Sequence, residues 1–277
     1  MNIFRKARQG LLTYVNQEIV PFFGKIYNKK NKYVNVIYYH DIVEDGGDSY
    51  MRTNKKVFIQ QMFWLAANNY ETLRFDDLDE EHLKFREGKI LIAFDDGWLS
   101  NYTEIFELMK GLGLKYNIFL TMGEIGKNPD YLTWDMVREM HKSGLCGFGA
   151  HTFTHPDMSV LSKVDFHHEV YDADALFKQE LGFAPVDFCY PFGYYSEESN
   201  VKLEKDSNYK HIYTSRMMYS YKQNGCVVFG RNGISNDYPK RYFCKKVKGY
   251  ANWNKIYNDH FYCHVLNLYH LIKNRKV

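Results

Sequence analysis

The stretch Lys89-Ile90-Leu91-Ile92-Ala93-Phe94-Asp95-Asp96-Gly97 decides the fold class of this chain. It begins with a short apolar run, which is typical of a strand that is buried on both faces, as in a parallel sheet. Two carboxylates and a turn-forming glycine follow at once. Because α/β proteins place their chemistry at the carboxyl ends of parallel strands, the sequence predicts a polar site directly after this strand.

A second polar cluster, His151-Thr152-Phe153-Thr154-His155, follows another strand-like run at residues 146–150. Pro156 and the glycines of that run favour a loop over a helix. Asp-Asp-Gly alone is a common turn, and a pair of histidines alone is more often structural than metal-binding. Together, two imidazoles and one carboxylate could bind a metal ion, which leaves the second carboxylate to act as a base. That is the inventory of a metal-dependent hydrolase.

Apolar strand-like runs alternate with longer amphipathic segments along most of the chain. The predicted strands are 34–39, 89–94, 116–120, 146–150, 187–190, 211–215 and 227–230. The predicted helices lie around 56–68, 101–112, 133–143, 163–181 and 197–206, with Thr133 as an N-cap and with Gly111 and Gly144 at helix C-termini. This alternation predicts an α/β fold with a mainly parallel sheet. About seven such units favour closure into a (β/α)-barrel over an open sheet.

Amphipathic segments flank the predicted barrel. Residues 3–23 carry apolar side chains three or four apart, which predicts a helix that Pro21 would end or kink. We favour a helix that covers the open bottom of the barrel, and a helix on a membrane surface is the alternative. The tail at 250–277 has the pattern of a helix packed on the barrel exterior. The predicted division is an N-terminal helix and linker at 1–33, a barrel at 34–245 and a helical extension at 246–277.

The bulk composition argues against several classes of protein. The 36 basic and 33 acidic residues leave a net charge of +3 without a dense basic stripe, which argues against a nucleic-acid partner. No run approaches the ~18–20 apolar residues that span a bilayer. Polar residues at 16–18 interrupt what would be the apolar core of a secretory signal, so the expected location is cytoplasmic, with peripheral membrane contact as the alternative. Five scattered cysteines predict reduced thiols.

Three further polar positions follow predicted strands. His40 ends the first strand, in Tyr38-Tyr39-His40-Asp41, and Arg231 follows the last one. The third is the turn Tyr190-Pro191-Phe192-Gly193, whose backbone N–H groups could bind a developing oxyanion or the substrate. Each of these features alone has an ordinary structural interpretation. Five polar clusters at the same end of five different strands, however, are not easily explained by packing.

In their order along the chain, the motifs YYH, FDDG, HTFTH and YPFG resemble those of the polysaccharide deacetylase family, which is carbohydrate esterase family 4 with its NodB-homology domain. In motif style the chain is similar to the permuted YPFG-type exopolysaccharide deacetylases. The resemblance covers roughly residues 34–245. It implies a distorted (β/α)-barrel and a metal-dependent hydrolase that removes acetyl groups, usually N-acetyl groups of amino sugars in a polysaccharide or a glycoconjugate precursor.

The resemblance also implies roles for individual residues. Asp95 matches the general base of the family, and Asp96 matches its carboxylate metal ligand. His151 and His155 match the two histidine ligands of a divalent metal ion, which in this family is commonly Zn²⁺. Phe192 matches the position whose backbone N–H helps to form the oxyanion hole.

The chain departs from the family pattern at two positions. Phe188 stands where many members carry an arginine that orients the base, and Arg231 is the candidate to replace it because Arg231 also ends a strand. No convincing late Leu-x-His motif supplies the general acid of the family. His40 resembles the histidine that the permuted exopolysaccharide deacetylases use as the acid on the first strand, and it is the preferred candidate. Two other functions stay open at this point. One is an O-acetyl esterase or small-amide hydrolase on the same scaffold, and the other is a catalytically retired barrel that only binds glycans.

Overall fold

The computed structural model describes residues 13–26, 30–45 and 51–252 of the chain, and there a curved, mainly parallel sheet is surrounded by helices. The strands are β1 (Asn35–Tyr39), β2 (Asp41–Val43), β3 (Arg52–Asn54), β4 (Glu71–Leu73), β5 (Lys89–Phe94), β6 (Tyr116–Leu120), β7 (Cys146–Ala150), β8 (Asp187–Cys189), β9 (His211–Tyr213), β10 (Tyr221–Gln223), β11 (Cys226–Phe229) and β12 (Asn232–Gly233). The α-helices are α1 (Val20–Ile26), α2 (Lys55–Ala67), α3 (Ser100–Thr103), α4 (Phe106–Leu112), α5 (Trp134–Lys142), α6 (Lys163–Phe166), α7 (Ala173–Leu181), α8 (Glu197–Asp206) and α9 (Lys240–Val247). A π-helical turn precedes α1, and another joins α6 to α7.

Seven parallel strands form the wall of a barrel, in the spatial order β1, β5, β6, β7, β8, β9 and β11. They correspond to the seven strands predicted from the sequence, and the expected distorted (β/α)-barrel is confirmed. The distortion has two visible sources. The first half of β5 pairs with β4 and its second half with β6, while β10 pairs antiparallel with β11. The short strands β2, β3, β4, β10 and β12 are not predicted by the sequence, because two or three residues are too few to show a strand pattern.

One stretch of chain, residues 226–233, closes the barrel. Its first part, β11, pairs with β9, where Val228 lies opposite Ile212. Its second part, β12, pairs with β1, where Asn232 lies opposite Ile37. Arg231 lies at the point where the stretch changes neighbours, between the last strand of the wall and the first. The closure therefore brings Arg231 to the side chains that follow β1 and β5.

The alternation of side chains along β5 directs the acidic pair toward the barrel interior. Leu91 and Ala93 belong to the apolar cluster to which six of the seven wall strands contribute, which lies inside the barrel. Ile90 and Ile92 belong to the cluster shared with the helices, which lies outside. Because successive side chains of a strand point to opposite faces, Asp95 continues the inward series at the carboxyl end of β5.

The predicted helix ends are confirmed at two of three positions. The Thr133 hydroxyl accepts a hydrogen bond from the Met136 N–H at 3.3 Å, as expected of an N-cap at the start of α5. Gly144 follows the end of α5 with a φ of 75°. The prediction for Gly111 is wrong, because that residue lies inside α4. The left-handed residue that ends α4 is Gly113, with a φ of 65°.

The amino-terminal helix continues past the proline that was expected to end or kink it. Pro21 is the second residue of α1 and follows directly on the π-helical turn Val15–Ile19, so the helical run passes through the proline. One side of α1 packs against the chain after α9, with Gly24 against the Tyr250 backbone, and Glu18 of the preceding π-helical turn forms an ion pair with Lys245 of α9. Phe22 on the other side is exposed. The barrel cover and the membrane-surface helix both stay predictions.

Parts of the sequence-based expectations lie outside the described residues. These are the helix at 3–12, the tail helix from 253 onward and Cys263. Of the other cysteines, Cys146, Cys189, Cys226 and Cys244 are free thiols, as predicted. Within 13–26, 30–45 and 51–252, the helices are all too short or too polar to cross a bilayer.

Candidate metal centre and active site

The carboxyl end of β5 turns sharply, so that Asp95 and Asp96 point in different directions. The Asp95 N–H donates to the Tyr39 carbonyl at the end of β1, which keeps Asp95 in line with the sheet. Asp96 then adopts a left-handed backbone conformation with a φ of 75°, and Gly97 follows with a φ of 87°. A Cβ at position 97 would also lie only 2.9 Å from the Ile125 side chain, so this turn requires glycine. The two carboxylates can therefore serve different functions.

Asp96 lies between the two histidines of the second cluster. Its Oδ1 is 3.4 Å from Nε2 of His151 and 3.4 Å from Nε2 of His155. Asp96 and His151 are buried, and His155 is half-buried. A tetrahedral zinc ion with ligand bonds of about 2.0–2.1 Å would hold its ligand atoms roughly 3.3 Å apart. The three side chains therefore have the spacing of a metal-ligand set.

The hydrogen bonds around this group leave lone pairs facing one another. Nδ1 of His151 lies 2.7 Å from the Cys189 carbonyl oxygen, which can only accept, so Nδ1 carries the proton of the neutral ring and Nε2 carries the lone pair. Oδ2 of Asp96 accepts from Nε1 of Trp98 at 2.9 Å, but its buried Oδ1 has no hydrogen-bond partner among the described residues. Buried lone pairs that face one another are unfavourable without a cation, so these residues fit a divalent metal ion.

A bidentate ion pair holds Asp95. Nη1 and Nη2 of Arg231 lie 2.7 Å and 2.8 Å from Oδ1 and Oδ2 of Asp95. The guanidinium is fully buried, donates from Nε to the Thr214 carbonyl at 2.9 Å, and lies 4.1 Å from the centre of the Tyr38 ring. Burial works to raise the pKa of Asp95, but the charge and hydrogen bonds of Arg231 outweigh it and lower the pKa. Asp95 is therefore ionised at neutral pH and fixed in orientation.

His40 completes the same side of the site. Its Nε2 lies 3.8 Å from Oδ2 of Asp95, and its side chain is buried at the end of β1. Asp95 thus lies between His40 and Arg231, while Asp96 lies between the two other histidines. The structure brings together all six residues that the sequence proposed as base, acid, orienting arginine and metal ligands.

We expect Arg231→Ala to destabilise the protein by about 3–5 kcal/mol, because it leaves the buried Asp95 carboxylate without its partner. Chemical denaturation followed by circular dichroism measures this change in the free energy of unfolding. Arg216→Ala is the matched control, since Arg216 is an exposed arginine whose removal should cost less than about 0.5 kcal/mol. Equal stability of the two variants would contradict the structural importance of the Arg231–Asp95 pair.

The turn Tyr190-Pro191-Phe192-Gly193 reaches His155 of the candidate ligand set from the end of β8. Phe192 and Gly193 have left-handed φ angles of 57° and 72°. A Cβ at position 193 would lie 2.6 Å from the Ser215 nitrogen, so this position also requires glycine. The first hydrogen bond of the turn is donated by the Gly193 N–H to the Tyr190 carbonyl. The Phe192 N–H, one residue earlier in the chain, is not the donor of that bond. The Phe192 ring packs edge-on against His155, with ring centres 4.6 Å apart, so the turn borders the metal-ligand group.

Two supporting residues were not predicted from the sequence. Trp98 donates to Asp96, as described above, and stacks on Tyr131 with ring centres 4.6 Å apart. Glu169 accepts hydrogen bonds from the loop between His151 and His155. The only sequence signal for Trp98 is its place two residues after Asp96. Glu169 lies in a helical stretch beside two exposed histidines and carries no signal of its own.

Comparisons with known proteins identify the family of this chain. The family model described as polysaccharide deacetylase matches residues 82–212. YxkH of Bacillus subtilis (strain 168), a protein named for the same family, is 31% identical over 203 residues, which are 72% of this chain and 71% of YxkH. The poly-β-1,6-N-acetyl-D-glucosamine N-deacetylase of Escherichia coli (strain K12) is 24% identical over 139 residues. This match spans 42% of the chain and only 20% of that larger enzyme.

Solved structures show the same fold. The deacetylase PplD of Streptococcus pyogenes, solved in complex with acetate, superposes with a TM-score of 0.70 at 20% sequence identity. That comparison covers 78% of this chain and 99% of PplD. IcaB of Ammonifex degensii superposes with a TM-score of 0.64 at 20% identity and covers 80% of this chain and 97% of IcaB. At these identities the superpositions establish the architecture alone.

Proposed function

The chain belongs to the polysaccharide deacetylase family, hydrolases that act on carbon–nitrogen bonds other than peptide bonds, and from this premise we propose that it removes N-acetyl groups from amino sugars of a glycan or glycoconjugate precursor with a divalent metal ion. The observation that carries the proposal is the pair of buried aspartates with separate partners. Asp96 faces two imidazole nitrogens, while Asp95 is held by Arg231 beside His40. We propose zinc because three protein ligands with room for a fourth are typical of catalytic zinc.

The residues divide the chemistry of amide hydrolysis between them. When bound by Asp96, His151 and His155, the metal ion supplies a Lewis acid and makes water more acidic. Asp95 is ionised and oriented by Arg231, so it accepts the proton of the water that attacks the acetyl carbon. The Phe192 N–H donates a hydrogen bond to the oxygen that becomes negative in the transition state. The products are acetate and a free amino sugar.

Protonation of the leaving nitrogen is assigned to His40. Its Nε2 lies 3.8 Å from Oδ2 of Asp95, the proposed base. We expect His40→Gln to lower the turnover of a folded, zinc-replete enzyme by about 10²-fold, since a positioned general acid contributes about 10²–10⁴-fold. Steady-state acetate release measures this loss. His82→Gln is the control, because His82 lies on the surface beside Asp79. A His40 variant within threefold of the control would refute the assignment.

The surface around the site suits a sugar ring. Phe192 and Tyr194 leave 57% and 55% of their surface exposed next to the ligand His155, with their ring centres 6.1 Å apart. Exposed aromatic faces bind apolar faces of pyranose rings while the sugar hydroxyls stay solvated. The name of the Escherichia coli relative makes a polymer of N-acetylglucosamine one substrate to test.

The test of the proposed function is acetate release from N-acetylated oligosaccharides and lipid-linked N-acetylhexosamines by the purified full chain. We expect release that EDTA abolishes and added Zn²⁺ restores. O-acetylated sugars are included because an O-acetyl esterase on the same scaffold is the competing enzyme. Release from these esters alone would replace the N-deacetylase by the esterase. Glycan binding without any hydrolysis and without bound metal would instead support the retired, glycan-binding barrel.

A further inference from the structure

The loop that carries the two histidine ligands has an unfavourable backbone conformation. Thr152 and His155 adopt left-handed φ angles of 66° and 62°, although neither is glycine. Such conformations are unfavourable for residues other than glycine and persist only when surrounding contacts hold them. The position of His155 depends on this conformation. His155 follows Thr152 by only three residues, and within that distance the chain must turn so that Nε2 of His155 lies beside the same Asp96 oxygen as Nε2 of His151.

Contacts on one side of the loop come from the chain after β6. The Met122 N–H donates to the Thr152 carbonyl at 3.1 Å, and the Gly123 N–H donates to the Phe153 carbonyl at 2.7 Å. Within the loop, the His155 N–H donates to the Thr152 hydroxyl at 3.0 Å. These bonds satisfy two carbonyls and one N–H. The N–H groups of residues 153 and 154 point to another acceptor.

That acceptor is the carboxylate of Glu169. Its Oε2 accepts from the N–H of Phe153 at 3.0 Å and from the N–H of Thr154 at 2.8 Å. Its Oε1 accepts from the Thr154 hydroxyl at 2.6 Å. Glu169 is only 5% exposed, although the two residues before it, His167 and His168, are exposed on the same helical turn. A buried carboxylate thus makes three hydrogen bonds to the segment between the two ligands.

We propose that Glu169 is a positioning residue for the metal centre, which holds the 152–155 loop so that His151 and His155 present Nε2 to the ion bound by Asp96. The inference rests on the proposed function only in taking the ion to bind these three residues. Hydrogen bonds to a charged acceptor are stronger than those between neutral groups, and loss of an outer-shell contact costs about 10–100-fold in metal affinity. Glu169 is not one of the three proposed ligands, so its effect must appear in zinc affinity.

The test is the zinc dissociation constant of the full chain, measured by competition with a chromophoric chelator. We expect Glu169→Ala to weaken zinc binding about 10–100-fold. Glu169→Gln should restore the affinity to within about threefold, because the amide oxygen accepts from both N–H groups and the amide nitrogen donates to the Thr154 hydroxyl. Glu180→Ala is the matched control. Glu180 is a carboxylate further along the same helical run, where it pairs with Arg138 at 2.8 Å, away from the loop.

The outcomes separate the inference from the proposed function. A wild-type chain that binds no zinc would overturn both. Tight zinc binding by the wild type, with the same affinity in a folded Glu169→Ala variant, would overturn the inference alone. If Glu169→Ala does not fold, the zinc affinity of Thr154→Val tests the inference instead, because this substitution removes only the hydroxyl that donates to Glu169. A loss of two- to fivefold in zinc affinity is expected for that variant, and an unchanged affinity contradicts the proposal.

Discussion

Asp96→Ala is expected to abolish both zinc binding and turnover. Asp96 supplies the one carboxylate oxygen that faces Nε2 of both His151 and His155 at 3.4 Å, so its removal leaves two neutral ligands and no negative charge. We expect the zinc affinity to fall by a factor on the order of 10³ or more, because a three-ligand catalytic site loses its only anionic ligand. Zinc content after dialysis and the rate of acetate release measure the two effects.

The control for Asp96→Ala is Asp130→Ala. Asp130 is an exposed carboxylate near the same end of the barrel, where its backbone carbonyl accepts from Leu99. It should retain the zinc content and the rate of the wild type. An Asp96→Ala variant that is active and fully loaded with zinc would refute the ligand assignment.

Asp95→Asn is expected to separate metal binding from turnover. Both Asp95 oxygens are occupied by Arg231 rather than directed at the imidazole pair, so the variant should keep one zinc per chain. An asparagine cannot accept the proton of the attacking water, and loss of a general base typically costs about 10²–10⁴-fold in rate. Turnover under saturating substrate, normalised to bound zinc, measures this loss.

The zinc content and turnover of Asp95→Asn are informative when they are compared with those of Asp96→Ala. If the adjacent carboxylates have the proposed roles, one variant loses metal and rate together, and the other loses rate alone. A zinc-replete Asp95→Asn enzyme with more than a tenth of the wild-type rate would exclude Asp95 as the base. Some loss of stability is expected in this variant as well, because Arg231 would keep its buried charge without a carboxylate partner.

Much of the candidate site could be predicted because strand ends are local features of the sequence. The polar residues at positions 40, 95 and 151 each directly follow an apolar run that forms a buried strand, and Asp96 comes next after Asp95. Parallel strands bring their carboxyl ends to one edge, so residues far apart in the chain are predicted to meet there. The proposal that Arg231 orients the base came from the same reasoning, and the structure places both of its terminal nitrogens on Asp95.

Residues that support the site from elsewhere could not be predicted in this way. Glu169 is one carboxylate in a polar helical stretch, and it differs from its neighbours only because the packing of that stretch turns it toward the 152–155 loop. Trp98 follows the turn at Asp96 and Gly97, and only the structure shows that its Nε1 donates a hydrogen bond to Asp96. Both effects depend on the direction in which a side chain points in three dimensions. The periodicity of apolar residues in the sequence does not predict that direction.

The sequence by itself determined the seven wall strands, their order along the chain, and the polar residues at their ends, because burial on both faces imposes a continuous apolar run on each strand. Only the tertiary structure decided how the barrel closes. Residues 226–233 pair with β9 and then with β1, and the buried amides of Asn35, Asn232 and Asn252 join this stretch to the first strand and to the chain after α9. The contacts of Asn35 with Asn232 and Asn252 link residues that are 197 and 217 positions apart. Asparagine has no preferred periodicity, so its burial is specified by the partners that folding brings to it.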